Sequence, residues 1–407
     1  MNRRHALSLI AAFPFAARLD ALTETRGTAK TRVVVGLGHG FLFEPGGTLR
    51  SWRIEEVPDD LAPPWLGLGH NRVHPAFTLD TVQGLTNVVA AAAGHECSYA
   101  VLGDGRLMSW GLNAGNGRLG TTTRDAFERT ATWGPNSNTP IPVVTKFDAV
   151  DVSCVKEHVV ALARDGAVYT WGNGDKGKLG VGRLPAFNFQ RYESAASTYM
   201  PFPARVPDLS EITSIKTGYA HSLALRSDGT VQAWGDNYRG QLGDGTTTDR
   251  DRPVVVQRVR NAIAIAASGD ISGAVLADGT VMTWGADPAD NPVTVPVLAP
   301  GVGGVRSIAA GVLHFAVVTD AGTVLTWGDN RYSALGRGEN PRGAGLVSGV
   351  SGVQSISACA RTTTVVLASG KIMTWGGVRP WTRPNSQATG LSPFPILLWL
   401  DGLDQPA

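Results

Sequence analysis

Histidines recur at matching points of this chain and could, by residue type, coordinate a metal ion. Four copies of an internal repeat carry histidine at one position, and three carry a thiol or a hydroxyl there: His39, His158, His221 and His314, then Cys97, Ser272 and Thr363. Imidazole and thiolate groups are the usual ligands of tetrahedral zinc. Whether they could share one ion depends on how far apart the repeats hold them.

Short catalytic phrases are the second kind of chemistry to consider. Ser227-Asp228-Gly229-Thr230 resembles the Asp-box of sialidase propellers, but there Trp directly follows Thr, whereas here Trp234 stands four residues on. The sequence contains no GxSxG, HExxH, Walker or Rossmann phrase. We therefore predict no enzyme activity and no cofactor. A carbohydrate-active or other enzyme stays open as an alternative, since sequence cannot locate a pair of catalytic carboxylates.

Aromatic and arginine side chains concentrate in two long insertions. From the Leu-Gly of one repeat to the next strand-opening Pro, 20 residues separate Gly120 from Pro140 and 21 separate Gly180 from Pro201, against 10 between Gly243 and Pro253. Aromatics and arginine are enriched at the binding hot spots of protein interfaces. The candidate partner-binding residues are Trp65, Phe127, Arg129, Trp133, Phe187, Phe189, Arg191, Tyr192 and Tyr199. Alternatively, these aromatics fold back and cover the protein's own surface.

The elements that position these loops come from a repeat of about 50 residues. Seven times, a Gly is followed by a short strand that ends in a tryptophan: Trp52, Trp110, Trp171, Trp234, Trp284, Trp327 and Trp375. Asp-Gly before that strand is the signal of a tight hairpin turn, and a Pro followed by β-branched residues marks a further strand in several copies. Four strands per repeat and no long helical period predict an all-β, seven-bladed propeller.

Ring geometry decides the role of the recurring side chains. Equivalent positions on neighbouring blades are separated by a blade spacing, which is too large for the roughly 2 Å bonds of a zinc site. We therefore predict no metal site, and we expect the polar residue at this position of each blade to satisfy a buried backbone group. The seven tryptophans are predicted to wedge blade against blade. We also predict that the ring closes through a blade shared by the two ends, with Val33-Val34-Val35 beside the strand at residues 395–400.

One repeat carries a recognisable family pattern. Gly218 to Leu225, Asp228-Gly229, Trp234-Gly235-Asp236-Asn237 and Gly240 to Gly243 together resemble the regulator of chromosome condensation repeat, and weaker copies extend the likeness over residues 31–407. The resemblance implies a seven-bladed propeller and a binding function. Among family members, nuclear proteins exchange guanine nucleotide on a small GTPase and bind nucleosomes, and a secreted bacterial member inhibits β-lactamases through loops at one face. A plant branch senses light, which the structural placement of the seven tryptophans disfavours here.

The charge balance restricts the class of partner, and the N-terminal sequence predicts where the protein is located. The chain has 36 Lys+Arg against 34 Asp+Glu, so no global field attracts nucleic acid or an anionic membrane. Three cysteines without a CxxC pair predict buried thiols. Arg3-Arg4, a twelve-residue apolar run and Ala21 predict an export signal at residues 1–21, in which Arg3-Arg4 resembles the twin-arginine type. A linker at 22–30 and the propeller at 31–407 are predicted to follow.

These features combine into one hypothesis about function. The chain is predicted to be a bacterial-type, exported (secreted or periplasmic) and monomeric member of the family, which binds another protein through the loop face of blades one to three. It is expected to contain no membrane span after cleavage of the signal. An intracellular regulator resembling a guanine-nucleotide exchange factor is the further alternative; a cytoplasmic location would accompany it.

Overall fold

The computed structural model describes residues 31–54, 63–70, 78–113, 117–130, 134–183, 199–338, 341, 343–377 and 391–397. The predicted export signal at residues 1–21 and the linker at 22–30 lie outside this range. Their assignment stays a prediction. Within the described residues, no helix has the length and apolar character needed to cross a membrane.

Seven four-stranded antiparallel sheets make up the described chain, as the all-β prediction requires. The first three are blade one, with β1 (Arg32–Val35), β2 (His39–Phe43), β3 (Leu49–Arg53) and β4 (Asp80–Thr81); blade two, with β5 (Val88–Ala93), β6 (Cys97–Leu102), β7 (Leu107–Gly111) and β8 (Ser137–Pro142); and blade three, with β9 (Ala149–Cys154), β10 (His158–Ala163), β11 (Val168–Asn173) and β12 (Tyr199–Arg205).

The other four are blade four, with β13 (Ile212–Thr217), β14 (His221–Arg226), β15 (Val231–Gly235) and β16 (Arg250–Val255); blade five, with β17 (Ala262–Ser268), β18 (Ile271–Leu276), β19 (Val281–Ala286) and β20 (Pro292–Leu298); blade six, with β21 (Val305–Ala310), β22 (His314–Thr319), β23 (Val324–Gly328) and β24 (Gly345–Leu346); and blade seven, with β25 (Val353–Cys359), β26 (Thr362–Leu367), β27 (Ile372–Gly377) and β28 (Leu391–Leu397). Helical structure among the described residues is limited to α1 (Arg124–Thr130) and the 3₁₀ turns Pro64–Leu66 and Asp175–Gly177.

The Asp-Gly turns form because of local side-chain and backbone chemistry. In blade four, Oδ1 of Asp228 accepts from the Thr230 amide at 2.9 Å and from the Thr230 hydroxyl at 2.6 Å. Gly229 adopts a φ of +79°, a left-handed conformation that glycine enters without a Cβ penalty. The turn therefore fixes the register of β14 against β15, which pairs Leu225 with Val231.

Blades pack against one another through continuous apolar layers. Between blades four and five, Leu223, Val231 and Ala233 form one buried cluster with Ile265 and Trp284. Burying a side chain of this size contributes about 1.5–3 kcal/mol, so each junction is a substantial part of the core. The first strands of all seven blades surround a central cavity of about 410 Å³.

The predicted shared blade is wrong. β1 pairs with β2 as the innermost strand of blade one, and β28 pairs with β27 as the outermost strand of blade seven, so each end completes a blade of its own. The ring closes by side-to-side packing. The amides of Val33 and Val35 donate to the hydroxyls of Ser355 and Ser357 at 3.4 and 3.0 Å.

Candidate interaction face

Strand alternation brings two sets of connections to one side of the ring, which we call the mouth face. It contains the turns between first and second strands, residues 36–38, 94–96, 155–157, 218–220, 269–270, 311–313 and 360–361, together with the loops between third and fourth strands. The two long insertions are loops of this second kind, in blades two and three. The predicted loop face of blades one to three is thus part of the mouth face.

Tyr238 is the large aromatic side chain that the described mouth face exposes most, with 44% of its surface accessible. Its hydroxyl donates to Oδ2 of Asp270, on the next blade, at 2.7 Å. Burial and this hydrogen bond raise the pKa of Tyr238 to about 12, so the phenol keeps its proton at neutral pH. Two cations flank the ring, with Nζ of Lys176 5.1 Å and Cζ of Arg239 4.8 Å from its centroid.

Carboxylates on neighbouring blades hold both cations in place. Nζ of Lys176 lies 3.0 Å from Oδ1 of Asp236, and Arg239 forms an ion pair with Asp290 of blade five. The Asp236 side chain is only 3% exposed while that of Lys176 is 50% exposed, so the pair joins a buried anchor to an accessible ammonium group. The result is a fixed tyrosine between two partly accessible positive charges.

Two further tyrosines of the mouth face repeat the arrangement. Nζ of Lys156 lies 5.5 Å from the ring centroid of Tyr219, and Cζ of Arg361 lies 3.5 Å from that of Tyr332. In each pair the cation and the ring belong to adjacent blades, and such contacts contribute about 0.5–1 kcal/mol when exposed. Sequence reasoning missed these residues because Tyr219 lies within a phrase that identifies the repeat, Tyr238 directly follows another, and neither belongs to the two long insertions.

The predicted partner-binding residues differ in whether the structure describes them and in how far they are buried. Trp133, Phe187, Phe189, Arg191 and Tyr192 lie outside the described residues, and the side chain of Arg129 in α1 is likewise outside them. Tyr199 begins β12 and is half-buried. Phe127 is 2% exposed and packs with Leu179, Met200 and Phe202, its ring 6.3 Å from that of Phe202. Phe127 thus folds back and covers the propeller's own surface, which was the alternative to partner binding.

Trp65 has a structural role that its sequence neighbours could have indicated. Trp65-Leu66-Gly67 is the blade-one copy of the x-Leu-Gly segment seen again at Arg118-Leu119-Gly120. The Trp65 carbonyl accepts from Nε1 of Trp110 at 2.8 Å and from the Ser98 hydroxyl at 2.7 Å. The indole of Trp65 itself is half-buried against Leu66 and Leu68.

The packing of Phe127 leads to a prediction about stability. Phe127→Leu should lower the free energy of unfolding by about 1 kcal/mol, because leucine fills the pocket less completely and loses the ring contact with Phe202. Urea titration followed by intrinsic fluorescence measures the change. Arg124→Ala, at the start of the same helix, serves as the exposed control. Equal stability of the Leu variant and the wild type would contradict a buried role.

Five of the seven recurring tryptophans connect their blade to a loop of the blade before it. The indole N–H groups of Trp110, Trp171, Trp234, Trp284 and Trp375 donate to the carbonyls of Trp65, Arg118, Lys178, Gln241 and Ala334 at 2.7–3.1 Å. Of the other two, Trp52 is buried in blade one, and Trp327 is half-buried and stacked on Phe315. Blade five precedes it with a loop of only residues 287–291 and has no x-Leu-Gly segment to supply the carbonyl.

The four histidines bridge blades in a similar way. Nε2 of His39, His158, His221 and His314 lies 2.7–3.0 Å from a hydroxyl of the next blade, on Ser98, Ser222, Ser272 and Thr363 respectively. The strand register corrects one detail of the sequence alignment: Ile271 and Thr362, rather than Ser272 and Thr363, stand at the histidine position. The hydroxyls are the partners of the histidines, one residue further on.

Among the described residues, no three His, Cys, Asp or Glu side chains converge in a way that could hold a metal ion. What the mouth face offers instead is a set of oriented aromatic rings, cations and carboxylates. Such a set can make contacts with another macromolecule.

Comparison with known sequences identifies the repeat. Two family models described as "Regulator of chromosome condensation (RCC1) repeat" match this chain, one at residues 149–178, 212–241 and 305–333 and the other at 165–225 and 228–275. The Arabidopsis thaliana ultraviolet-B receptor UVR8 is 31% identical over 62% of this chain and 55% of its own length. The human protein named "Probable E3 ubiquitin-protein ligase HERC6" is 34% identical over 64% of this chain. The match spans only 25% of HERC6 and about half of the receptor, so their names describe longer proteins.

Solved structures agree on the fold. Human WBSCR16 superposes with a TM-score of 0.66 at 22% identity, over 81% of this chain and 86% of that one. Yeast RCC1 (Prp20), solved bound to Kap60, also gives 0.66 at 19% identity, over 93% of this chain and 86% of that one. The repeat sequence, the blade architecture and these superpositions agree. The chain is a seven-bladed β-propeller, and its residues 149–275 and 305–333 match the regulator of chromosome condensation repeat.

Proposed function

We propose that this propeller is a non-enzymatic module that binds another protein through its mouth face. The observation that carries the proposal is Tyr238, an exposed aromatic held by a hydrogen bond to Asp270 and flanked by Lys176 and Arg239. Tyrosine and arginine are the residue types that most often dominate binding energy. The relatives support a binding role, since yeast RCC1 was solved with Kap60 bound and its structural study reports binding to Gsp1p and histones.

The fixed geometry of Tyr238 favours binding for an energetic reason. A side chain ordered only on association costs about 0.5–1.5 kcal/mol of conformational free energy. The phenol of Tyr238 is already anchored in the free protein, so less of that cost remains. Its neighbours on adjacent blades also keep an accessible face of mixed charge around the ring, which suits a partner with both carboxylates and apolar groups.

The loops of blades one to three extend the same proposed surface. The strands that flank these loops have their connected ends on the mouth face, and the loop sequences include Trp133, Phe189 and Tyr192. We therefore propose that these residues contribute to the same contact area as Tyr238. Phe127 is left out because its ring is buried.

The test compares mouth-face variants with a matched variant on the outer rim. Purified wild type, Tyr238→Ala and the triple variant Trp133→Ala, Phe189→Ala, Tyr192→Ala are used to capture partners from extracts of the native host, and affinities are then measured by calorimetry. Truncation of Tyr238 should weaken binding about 30-fold, the equivalent of about 2 kcal/mol. Tyr238→Phe, which keeps the ring and both cations, should lose less.

Leu298→Ala is the control, because Leu298 is also exposed, at 56%, but ends the outermost strand of blade five away from the mouth face. Its affinity for the partner should equal that of the wild type. Loss of binding in the Leu298 variant with full binding in both mouth-face variants would show that the partner uses the rim. Failure of the wild type to retain any protein would reject the binding role.

A further inference from the structure

Two buried thiols meet at the junction of blades two and three. Cys97 opens β6 and is fully buried, and Cys154 closes β9 with 5% of its surface exposed. A Cβ placed on Gly94 would stand 2.9 Å from the sulfur of Cys97 and 2.7 Å from that of Cys154. Both sulfurs therefore converge on the same small space, which the missing side chain of Gly94 leaves open.

This thiol pair occupies the place that a polar bridge takes at other junctions. Cys97 stands where His39, His158 and His221 stand in their blades, and those imidazoles bond to a hydroxyl of the following blade. The hydroxyl is absent from blade three, where Val159 takes its position. Cys97 contacts Cys154 of that blade instead, so a sulfur pair replaces the imidazole–hydroxyl bridge.

The surroundings favour a reactive form of this pair. The guanidinium of Arg118 is 4% exposed, and its Nη1 donates to the carbonyl of His95 at 2.7 Å, beside the Gly94 turn. Burial by itself raises the pKa of Cys97, but the hydrogen bond from Cys154 and the charge of Arg118 outweigh it and lower that pKa. The same hydrogen bond and burial raise the pKa of Cys154, which keeps its proton.

We propose that Cys97 and Cys154 form an oxidation site that joins blade two to blade three through a reversible disulfide. With hydrogen peroxide as the oxidant, one sulfur attacks the O–O bond, which breaks as an S–O bond forms and water leaves. The second sulfur then displaces the oxygen as a second water. Two thiols and one peroxide thus give one disulfide and two waters, and the sulfurs supply both electrons.

Access comes from the position of Cys154, and selectivity comes from its contact with Cys97. Cys154 lines the central cavity, so a small oxidant that enters the ring arrives beside the pair. The Cys97 thiolate is then the attacking sulfur, and Cys154, which keeps its proton, is the second sulfur. Cys359 also lines this cavity but belongs to blade seven, where burial raises its pKa to about 12. A high pKa leaves little thiolate for attack. Cys359 is therefore the internal control for a cysteine without a thiol partner in contact.

The experiment counts thiols in the full chain. Reduced protein is treated with hydrogen peroxide, quenched with catalase, unfolded and alkylated, and its mass is measured. Of the three cysteines, the wild type should retain one that is alkylated, and digestion should yield one linked peptide containing Cys97 and Cys154. Cys359→Ala should retain none, whereas Cys97→Ala and Cys154→Ala should each form no intramolecular disulfide. A dithiol reductant should restore all three thiols.

The melting temperature gives an independent readout. A disulfide that closes a loop of this length should raise the Tm of the oxidised wild type by a few degrees, with no such rise in Cys97→Ala. Three alkylated thiols in oxidised wild type would overturn the proposal. So would a linked peptide containing Cys359, or disulfides found only between chains.

Discussion

Acidification from pH 7 to pH 5 is expected to lower the free energy of unfolding by about 7 kcal/mol, because four buried imidazoles must stay neutral in the folded state. Burial lowers the pKa of His39 and His221 to about 3 and that of His314 to about 4, and burial next to Lys178 lowers the pKa of His158 well below 6.5. Each histidine bridges two blades, so the effect acts on the junctions themselves.

The unfolding free energy falls as the pH falls because the unfolded chain binds more protons than the folded state. In the unfolded chain these histidines titrate near 6.5 and take up protons as the pH falls, whereas the folded state takes up none until pH 3–4. The stability is therefore complete above pH 6.5 and is lost as the pH falls from there towards 4. Asp236 opposes this loss, since burial raises its pKa and lets the folded state bind one proton earlier.

Urea titrations at pH 7, 6 and 5 measure this dependence. Below pH 6 the slope of the unfolding free energy against pH should approach that of four protons, about 5.4 kcal/mol per pH unit. His221→Gln removes one titrating group and keeps an amide that can bond to Ser272, so its slope should fall by about one proton. A wild-type slope below one proton would contradict neutral burial of the histidines.

Trp234→Ala should lower the free energy of unfolding by about 4 kcal/mol. The indole is fully buried between blades three and four, and its N–H donates to the Lys178 carbonyl at 3.0 Å. Alanine leaves both a cavity and a buried carbonyl without its donor. Together these losses approach the whole stability of many domains, which is 5–15 kcal/mol.

Trp327→Ala is the matched control, because the same repeat position is half-buried there and blade five supplies no x-Leu-Gly carbonyl for its indole. Trp327→Ala should lower the free energy of unfolding by about 2 kcal/mol, mostly because the contact with Phe315 is lost. Urea denaturation of both variants at pH 7.5 measures the difference. Equal losses of unfolding free energy in the two variants would show that the inter-blade hydrogen bond and full burial contribute nothing beyond ring packing.

The sequence by itself determined the blades, for reasons of local chemistry. Asp228-Gly229 supplies both the side-chain acceptor and the left-handed glycine that a tight turn needs, and alternating apolar residues then commit each strand to one buried face. A tryptophan in each repeat supplies a large side chain for the junction between neighbouring blades. Seven copies of such a unit can bury their faces only against each other, so the ring follows from the repeat.

Only the tertiary structure decided which residues meet across blades. His221 and Ser272, Tyr238 and Asp270, and Cys97 and Cys154 are each 32 to 57 residues apart in the chain. Each of these contacts depends on the angle and spacing between whole blades, which no local sequence pattern encodes. Ring closure also depends on the tertiary structure, because complete blades pack side by side where the sequence predicted one blade shared by the two ends. The burial of Phe127 depends on it as well, because its ring packs against residues of the neighbouring blade.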